Sequence, residues 1–166
     1  MDTSEVKTSI QSYLTFKLGE EIFAASVSKV LNILEMTKIT KVPKAPSYMK
    51  GVINLRGSVL PLVDARLKFG MSETTFTANT CILVLDIVLH DESVKIGALV
   101  DSVQEVLEIR DDQIQPPPGL GSRYRAEFID GMAKVDETFI MILNLEQIFS
   151  SEDIVNIKGV SGEISS

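Results

Sequence analysis

The chain reads twice, and that constrains its fold more than any other feature. A duplicated sequence folds as two like units or as one body with internal pseudo-symmetry. Sliding residues 22–36 onto 95–109, an offset of 73, sets Ala25 on Ala98, Val27 on Val100, Val30 on Val103, Leu34 on Leu107 and Glu35 on Glu108. Both copies run on into prolines, Pro43 and Pro46 in the first and Pro116-Pro117-Pro118 in the second. Sliding 51–69 onto 131–149, an offset of 80, sets Gly51 on Gly131 and Phe69 on Phe149. The apolar run Leu60-Pro61-Leu62-Val63 then falls on Ile140-Met141-Ile142-Leu143, and the turn Arg56-Gly57 on Asp136-Glu137.

Each half is expected to present the same elements in the same order. Strands over 13–18 and 22–25, matched by 81–89 and 94–100, precede a short helical or extended stretch at 27–36 and 100–109. A proline loop, a hairpin and a short helix at 65–69 or 145–149 complete each half. The first hairpin is the most explicit. Val52-Ile53-Asn54-Leu55 and Val59-Leu60-Pro61-Leu62-Val63 flank the polar turn Arg56-Gly57-Ser58, apolar stretches broken by a short turn containing Gly. Four or five short strands per half predict an all-β fold with short helices, arranged as two small barrels whose closure hides strand edges. Halves of roughly 65–70 residues would be marginal alone. They are expected to pack together as a single domain over 11–152, with approximate halves 11–72 and 79–152. The sequence leaves open which strand sits in which barrel, strand exchange included, and residues 1–10 and 153–166 are expected to be flexible termini.

Composition narrows the partners. The formal net charge is −7, from 16 Lys and Arg against 23 Asp and Glu. Nucleic-acid binders show a basic surface because phosphate neutralisation supplies most of their affinity, so no nucleic-acid partner is expected. The longest apolar run, 81–89, has strand length and carries Asp86, far short of the ~20 residues of a membrane helix; no direct membrane insertion is expected. Residues 1–5 lack the basic and apolar regions of a secretory signal, and the lone Cys81 cannot form an internal disulfide. Together these features predict a cytoplasmic protein.

No catalytic constellation is legible. The sole histidine, His90, precedes Asp91-Glu92 at a strand end, where sequence neighbours point to opposite faces; it reads as a loop residue. Cys81 reads as a buried small hydrophobe with nothing nearby to activate its thiol. One Cys and one His exclude thiolate and imidazole zinc sites. Gly119-Leu120-Gly121 follows prolines, not a strand, and lacks the phosphate-loop ending. Asp111-Asp112 reads as a solvated turn, and Asp86, Asp101 and Asp130 lie at no ligand spacing. No catalytic, cofactor-binding or metal-binding residue is therefore assigned, and the chain is expected not to be an enzyme. The rival from another class is a small β-barrel enzyme with a carboxylate site drawn from Asp64, Asp101 and Asp130.

From about Tyr13 to Phe149 the chain resembles the CheW family of bacterial chemotaxis coupling proteins. The resemblance is carried by Tyr13-Leu14-Thr15-Phe16-Lys17-Leu18-Gly19, Ile39-Thr40-Lys41-Val42-Pro43-Lys44-Ala45-Pro46, Lys50-Gly51-Val52-Ile53-Asn54-Leu55-Arg56-Gly57 and Leu60-Pro61-Leu62-Val63-Asp64. Gly97, Val100-Asp101-Ser102-Val103 and Gly131 follow in the second half. Any one block is weak; the order and spacing together are specific. The resemblance implies two small Src-homology-like five-stranded β-barrels around a shared hydrophobic core. It implies a non-catalytic adaptor, without cofactors, that couples transmembrane chemoreceptors to a CheA-type histidine kinase. The implied partners are that kinase's regulatory domain and the cytoplasmic tip of methyl-accepting chemoreceptors, which would recruit the protein to membrane arrays. Self-association in rings is left open, as is service in a non-flagellar array such as one governing surface motility.

The resemblance also points to site residues. Arg56 of the Asn-Leu-Arg-Gly turn corresponds to the family's partner-contact region; the bland alternative pairs it with Asp64 or leaves it in water. Asn54 is either a contact or a side chain that bonds the local backbone. Gly57, like Gly51, is expected to answer a backbone requirement. The stretch 30–35 maps to a second contact region and contributes Val30, Asn32 and Glu35, although strand alternation makes Val30 and Ile33 candidates for the core. Two positions depart from the family: Asn32 stands where many relatives are acidic, and Ala65 replaces a leucine. Partner choice is where these departures bear.

Overall fold

The computed structural model describes residues 9–89, 91–116 and 128–149. His90, Gly119-Leu120-Gly121 and the stretches 1–8 and 150–166 lie outside the described residues. The first half supplies strands β1 (Ile10–Leu18), β2 (Glu21–Ser26), β3 (Val30–Glu35), β4 (Met49–Leu55) and β5 (Ser58–Asp64), then helix α1 (Ala65–Lys68). The second supplies β6 (Cys81–Leu89), β7 (Glu92–Val100), β8 (Ser102–Arg110), the two-residue β9 (Ile114–Gln115), β10 (Ile129–Val135), β11 (Thr138–Leu143) and helix α2 (Leu145–Ile148). Single 3-10 turns, Val27–Lys29 and Asp111–Gln113, precede β3 and follow β8. The stretches at 27–36 and 100–109, helical or extended on sequence, are thus mainly strands.

Two sheets result, one in the order β8-β1-β2-β11-β10-β9 and one in the order β3-β6-β7-β5-β4. The five-strand unit recurs position for position. In each, a hairpin (β1–β2 or β6–β7) sits between an antiparallel neighbour (β8 or β3) and a parallel one (β11 or β5). The first sheet gains a sixth strand because β9 pairs with Met132 and Ala133 on its edge. At the matching place in the second sheet stands a single bridge between Thr40 and Val52. Neither sheet is drawn from one half of the sequence: the β1–β2 and β6–β7 hairpins each pair on both sides with strands of the other half.

The apolar periodicity explains the layering. On β6, Leu83, Leu85 and Ile87 join a large core shared by the two sheets, while Ile82 and Val84 point into a smaller core belonging to their own sheet. A strand buried on both faces reads as a continuous apolar run, which is why residues 81–89 show no alternation. β2 and β11 do the same in the first sheet. Phe23, Ala25, Met141 and Leu143 face the shared core, whereas Ala24, Ile140 and Ile142 face the sheet's own. At the centre of the shared core Phe69 stacks on Phe23 at 5.0 Å and meets Phe128 edge-on at 5.7 Å.

Both halves bend at an equivalent glycine. The strand register shifts between Met49 and Gly51, and again between Ile129 and Gly131. A Cβ on Gly51 would lie 2.3 Å from the Thr40 carbonyl oxygen, and one on Gly131 would lie 2.4 Å from Ile114 Cγ2. The neighbouring segment approaches too closely for any side chain. Pro61, inside β5, is tolerated because Val52, its opposite residue, turns its own N–H and C=O towards Thr40, and the ladder to β7 begins only at Leu62.

Candidate functional site: the β4–β5 hairpin tip and strand β3

Arg56 and Gly57 fill the two loop positions of the β4–β5 hairpin, between the paired residues Leu55 and Ser58, with φ of 52° and 86°. Positive φ at both positions is the type I′ turn, whose twist suits the flanking strands. Gly57 adopts it freely, with open space where a Cβ would stand; Arg56 adopts it under the constraint of the hairpin. The equivalent turn of the second half keeps the geometry with Asp136 at 48° and Glu137 at 69°. Two pseudo-equivalent tips therefore carry opposite charge.

Asn54 Oδ1 accepts a hydrogen bond from the Gly57 N–H at 3.0 Å, so this side chain clasps the turn from within. The alternative pairing of Arg56 with Asp64 does not occur. Asp64 is fully buried and accepts from the Arg66 N–H (3.0 Å), the Thr74 N–H (3.0 Å) and Thr74 Oγ1 (2.7 Å). Arg56 is exposed and forms no ion pair with a described residue.

Strand β3 lies at the edge of its sheet and alternates in exposure, with a register shift between Val30 and Asn32. Val30 packs on the shared core and Leu34 on the sheet's own core, while Leu31 and Ile33 are 46% and 48% exposed. The expectation that Ile33 is core is corrected. The odd-numbered residues of this strand face outwards, and the half-buried Leu34 packs on the core. Asn32 and Arg56 line one open cleft of about 410 Å³, together with Leu31, Leu55, Val84 and Lys95. Glu35 is exposed at the far end of β3, opposite Cys81, and does not line it.

Residues distant in sequence thus converge at one end of the second sheet. Lys95 and Leu31 were missed by sequence reasoning. The signal for Lys95 was a lone cation in the apolar strand β7, but placing it beside Arg56 requires the β5–β7 pairing. Its cross-strand partner is Asp86, a favourable opposite-charge pair. The cleft brings two cations, an amide and exposed aliphatic carbons together, a surface suited to contact.

The other carboxylates are separately occupied. Asp101 receives the Arg66 guanidinium and the Gly19 N–H, and Asp130 accepts from Asn144 Nδ2 at 2.9 Å. Arg110 pairs with the exposed Asp112 at 3.0 Å. No group of three or more His, Cys, Asp or Glu able to hold a metal occurs among the described residues. Burial pushes the Cys81 thiol up, which opposes thiolate reactivity. No helix among the described residues is long and apolar enough to cross a membrane.

Comparison with known proteins agrees with this architecture. The family pattern described as "CheW-like domain" matches residues 12–153. The chemotaxis protein CheW of Klebsiella aerogenes is 30% identical over 151 residues, covering 91% of this chain and 89% of that one. The probable chemotaxis protein CheW of Rhizobium etli is 34% identical over 140 residues, 84% of this chain and 88% of that one. Among solved structures, the scaffolding protein TtCheW of Thermoanaerobacter tengcongensis superposes with a TM-score of 0.76 at 29% identity, over 87% of this chain and 91% of that one. With its doubled five-strand unit, its shared core and this match along nearly its whole length, the chain belongs to the CheW family.

Proposed function

We propose that this protein is a non-catalytic adaptor of a chemotaxis array, acting in the cytoplasm and linking chemoreceptors at the membrane to a CheA-type histidine kinase. The observation that carries the reading is the pair of pseudo-equivalent hairpin tips of opposite charge on one body, Arg56-Gly57 and Asp136-Glu137. An adaptor needs two distinguishable faces, and a duplicated fold that keeps the turn while inverting its charge supplies them. The kinase's regulatory domain is the proposed partner of the cleft beneath Arg56. Asn54 and Gly57 set the shape of the tip, Leu31 and Asn32 form the facing wall, and Glu35 lies at the rim of the same strand. Val30 contributes by holding β3 in place. The receptor tip is assigned to the remaining surface.

With Asn32 neutral, Arg56 is not offset by a carboxylate on the facing wall, while Lys95 is balanced by its cross-strand partner Asp86. Arg56, unpaired among the described residues, favours an acidic partner surface. A single contact of this kind is modest, and avidity in an array supplies firmness. Calorimetric titration of the protein into the regulatory domain of its own organism's kinase tests the assignment. Wild type is expected to bind saturably at micromolar strength, and Arg56→Glu to weaken binding at least tenfold while retaining its melting temperature. Wild type that binds no such domain would contradict the reading.

A further inference from the structure

The reciprocal strand exchange forces the chain to cross between sheets once in each half, and an ion pair stands at each crossing. In the first half the chain leaves β2 and enters β3 through Val27–Lys29; there Lys29 meets Glu146 of α2 at 3.2 Å. In the second half it leaves β7 and enters β8 through Asp101, which meets Arg66 of α1. Arg66 and Glu146 are equivalent under the offset of 80 that relates the two short helices. The two locks are alike with the charges exchanged, each tying the last helix of one half to the crossing of the other, although Lys29 stands one place beyond Ser28, the equivalent of Asp101.

They are not equally strong. Arg66 grips Asp101 through three contacts, Nε to both carboxylate oxygens at 3.1 and 3.0 Å and Nη2 to Oδ2 at 2.7 Å. Asp101 also accepts the Gly19 N–H at 2.6 Å, so the β1–β2 turn is fastened to the same point. The side chains are only 22% and 20% exposed, and a forked, partly desolvated guanidinium–carboxylate pair is the strong form of this interaction. Among the described residues Lys29 makes one ion pair, its side chain and that of Glu146 are 33% and 34% exposed, and the Glu146 oxygen is sealed from solvent without an aligned hydrogen bond. A single lysine contact without an aligned hydrogen bond is the weaker form beside a forked guanidinium–carboxylate pair.

We infer that the Lys29–Glu146 crossing is a joint, at which β3 and α2 loosen together while the Arg66–Asp101 crossing stays shut. The consequence falls on the cleft. Its Arg56 wall is the β4–β5 hairpin, which runs directly into α1 and the strong lock. Its Leu31–Asn32 wall is β3, which starts immediately after the weak one. One wall is fixed and the other can move.

The joint needs no partner, so its test is separate from that of the adaptor reading. Hydrogen exchange of the full chain, followed by mass spectrometry, should show β3 and α2 exchanging faster than their equivalents β8 and α1. Lys29→Ala should speed β3 and α2 together by about two- to fivefold and leave β8 and α1 unchanged. The double exchange of charge, Lys29→Glu with Glu146→Lys, should restore the wild-type rates, and Arg66→Lys should loosen β8 and α1 instead. Equal exchange at the two crossings in wild type, or a response of β3 without α2, would overturn the inference.

Discussion

At the residue scale, two polar side chains of the β4–β5 region do different work. Asp64 is buried and satisfies three donors at once, so its removal leaves two N–H groups and a hydroxyl unpaired. Asp64→Ala is expected to cost about 2–4 kcal/mol of stability. Asn54 holds one exposed turn bond, and Asn54→Ala should cost about 0.5–1.5 kcal/mol. Urea denaturation of both variants checks the ranking; a larger loss at Asn54 would contradict it. Arg56 was legible in the sequence because a cation at a hairpin tip has no structural duty there. Asp64 was not, since its partner Thr74 lies ten residues on in a loop without periodicity. Local pattern cannot report a hydrogen bond between a strand end and a later loop.

At the scale of elements, β3 joins the site to the core. Its alternation puts Leu31, Ile33 and Glu35 outside and Val30, Asn32 and Leu34 inward. The sequence Val-Leu-Asn-Ile-Leu-Glu has apolar residues on both faces, so periodicity alone cannot choose, and Ile33, a candidate for the core on sequence, faces outwards. Pairing with β6 decides it, through a register shift between Val30 and Asn32. Thermal denaturation should find Ile33→Ser within about 0.5 kcal/mol of wild type. Leu34→Ser, which removes a side chain packed on the sheet's core, should cost about 1–3 kcal/mol. The reverse order would mean that β3 sits in the other register. The hairpins and short helices were easier to read, because each begins or ends on Gly, Asp, Asn or a two-residue turn whose chemistry is local.

At the scale of the molecule, duplication was visible but its exchange was not. The offsets of 73 and 80 pair residues that do occupy equivalent places: Gly51 with Gly131 at the bends, Phe69 with Phe149 after the helices, and Arg56-Gly57 with Asp136-Glu137 at the tips. Nothing in a one-dimensional repeat says that β3 pairs with β6 and β8 with β1, since pairing within a half would satisfy the same periodicity. The exchange nonetheless matters for function. With the β1–β2 and β6–β7 hairpins clasped by strands of the other half, and a shared core between the sheets, the two faces are carried on one body. A partner bound at one face is thereby held at a set position relative to the other, which is the physical content of an adaptor.

The most direct test of that account is a bridging measurement. The cytoplasmic tip of a chemoreceptor from the same organism is fixed to a sensor surface, and the kinase's regulatory domain is passed over it with and without this protein. The account predicts that the domain is retained only when the protein is present, in proportion to the protein bound, and that Arg56→Glu abolishes retention while still binding the receptor. If receptor and kinase domain instead displace one another from the protein, the two faces are one, and the adaptor account is wrong.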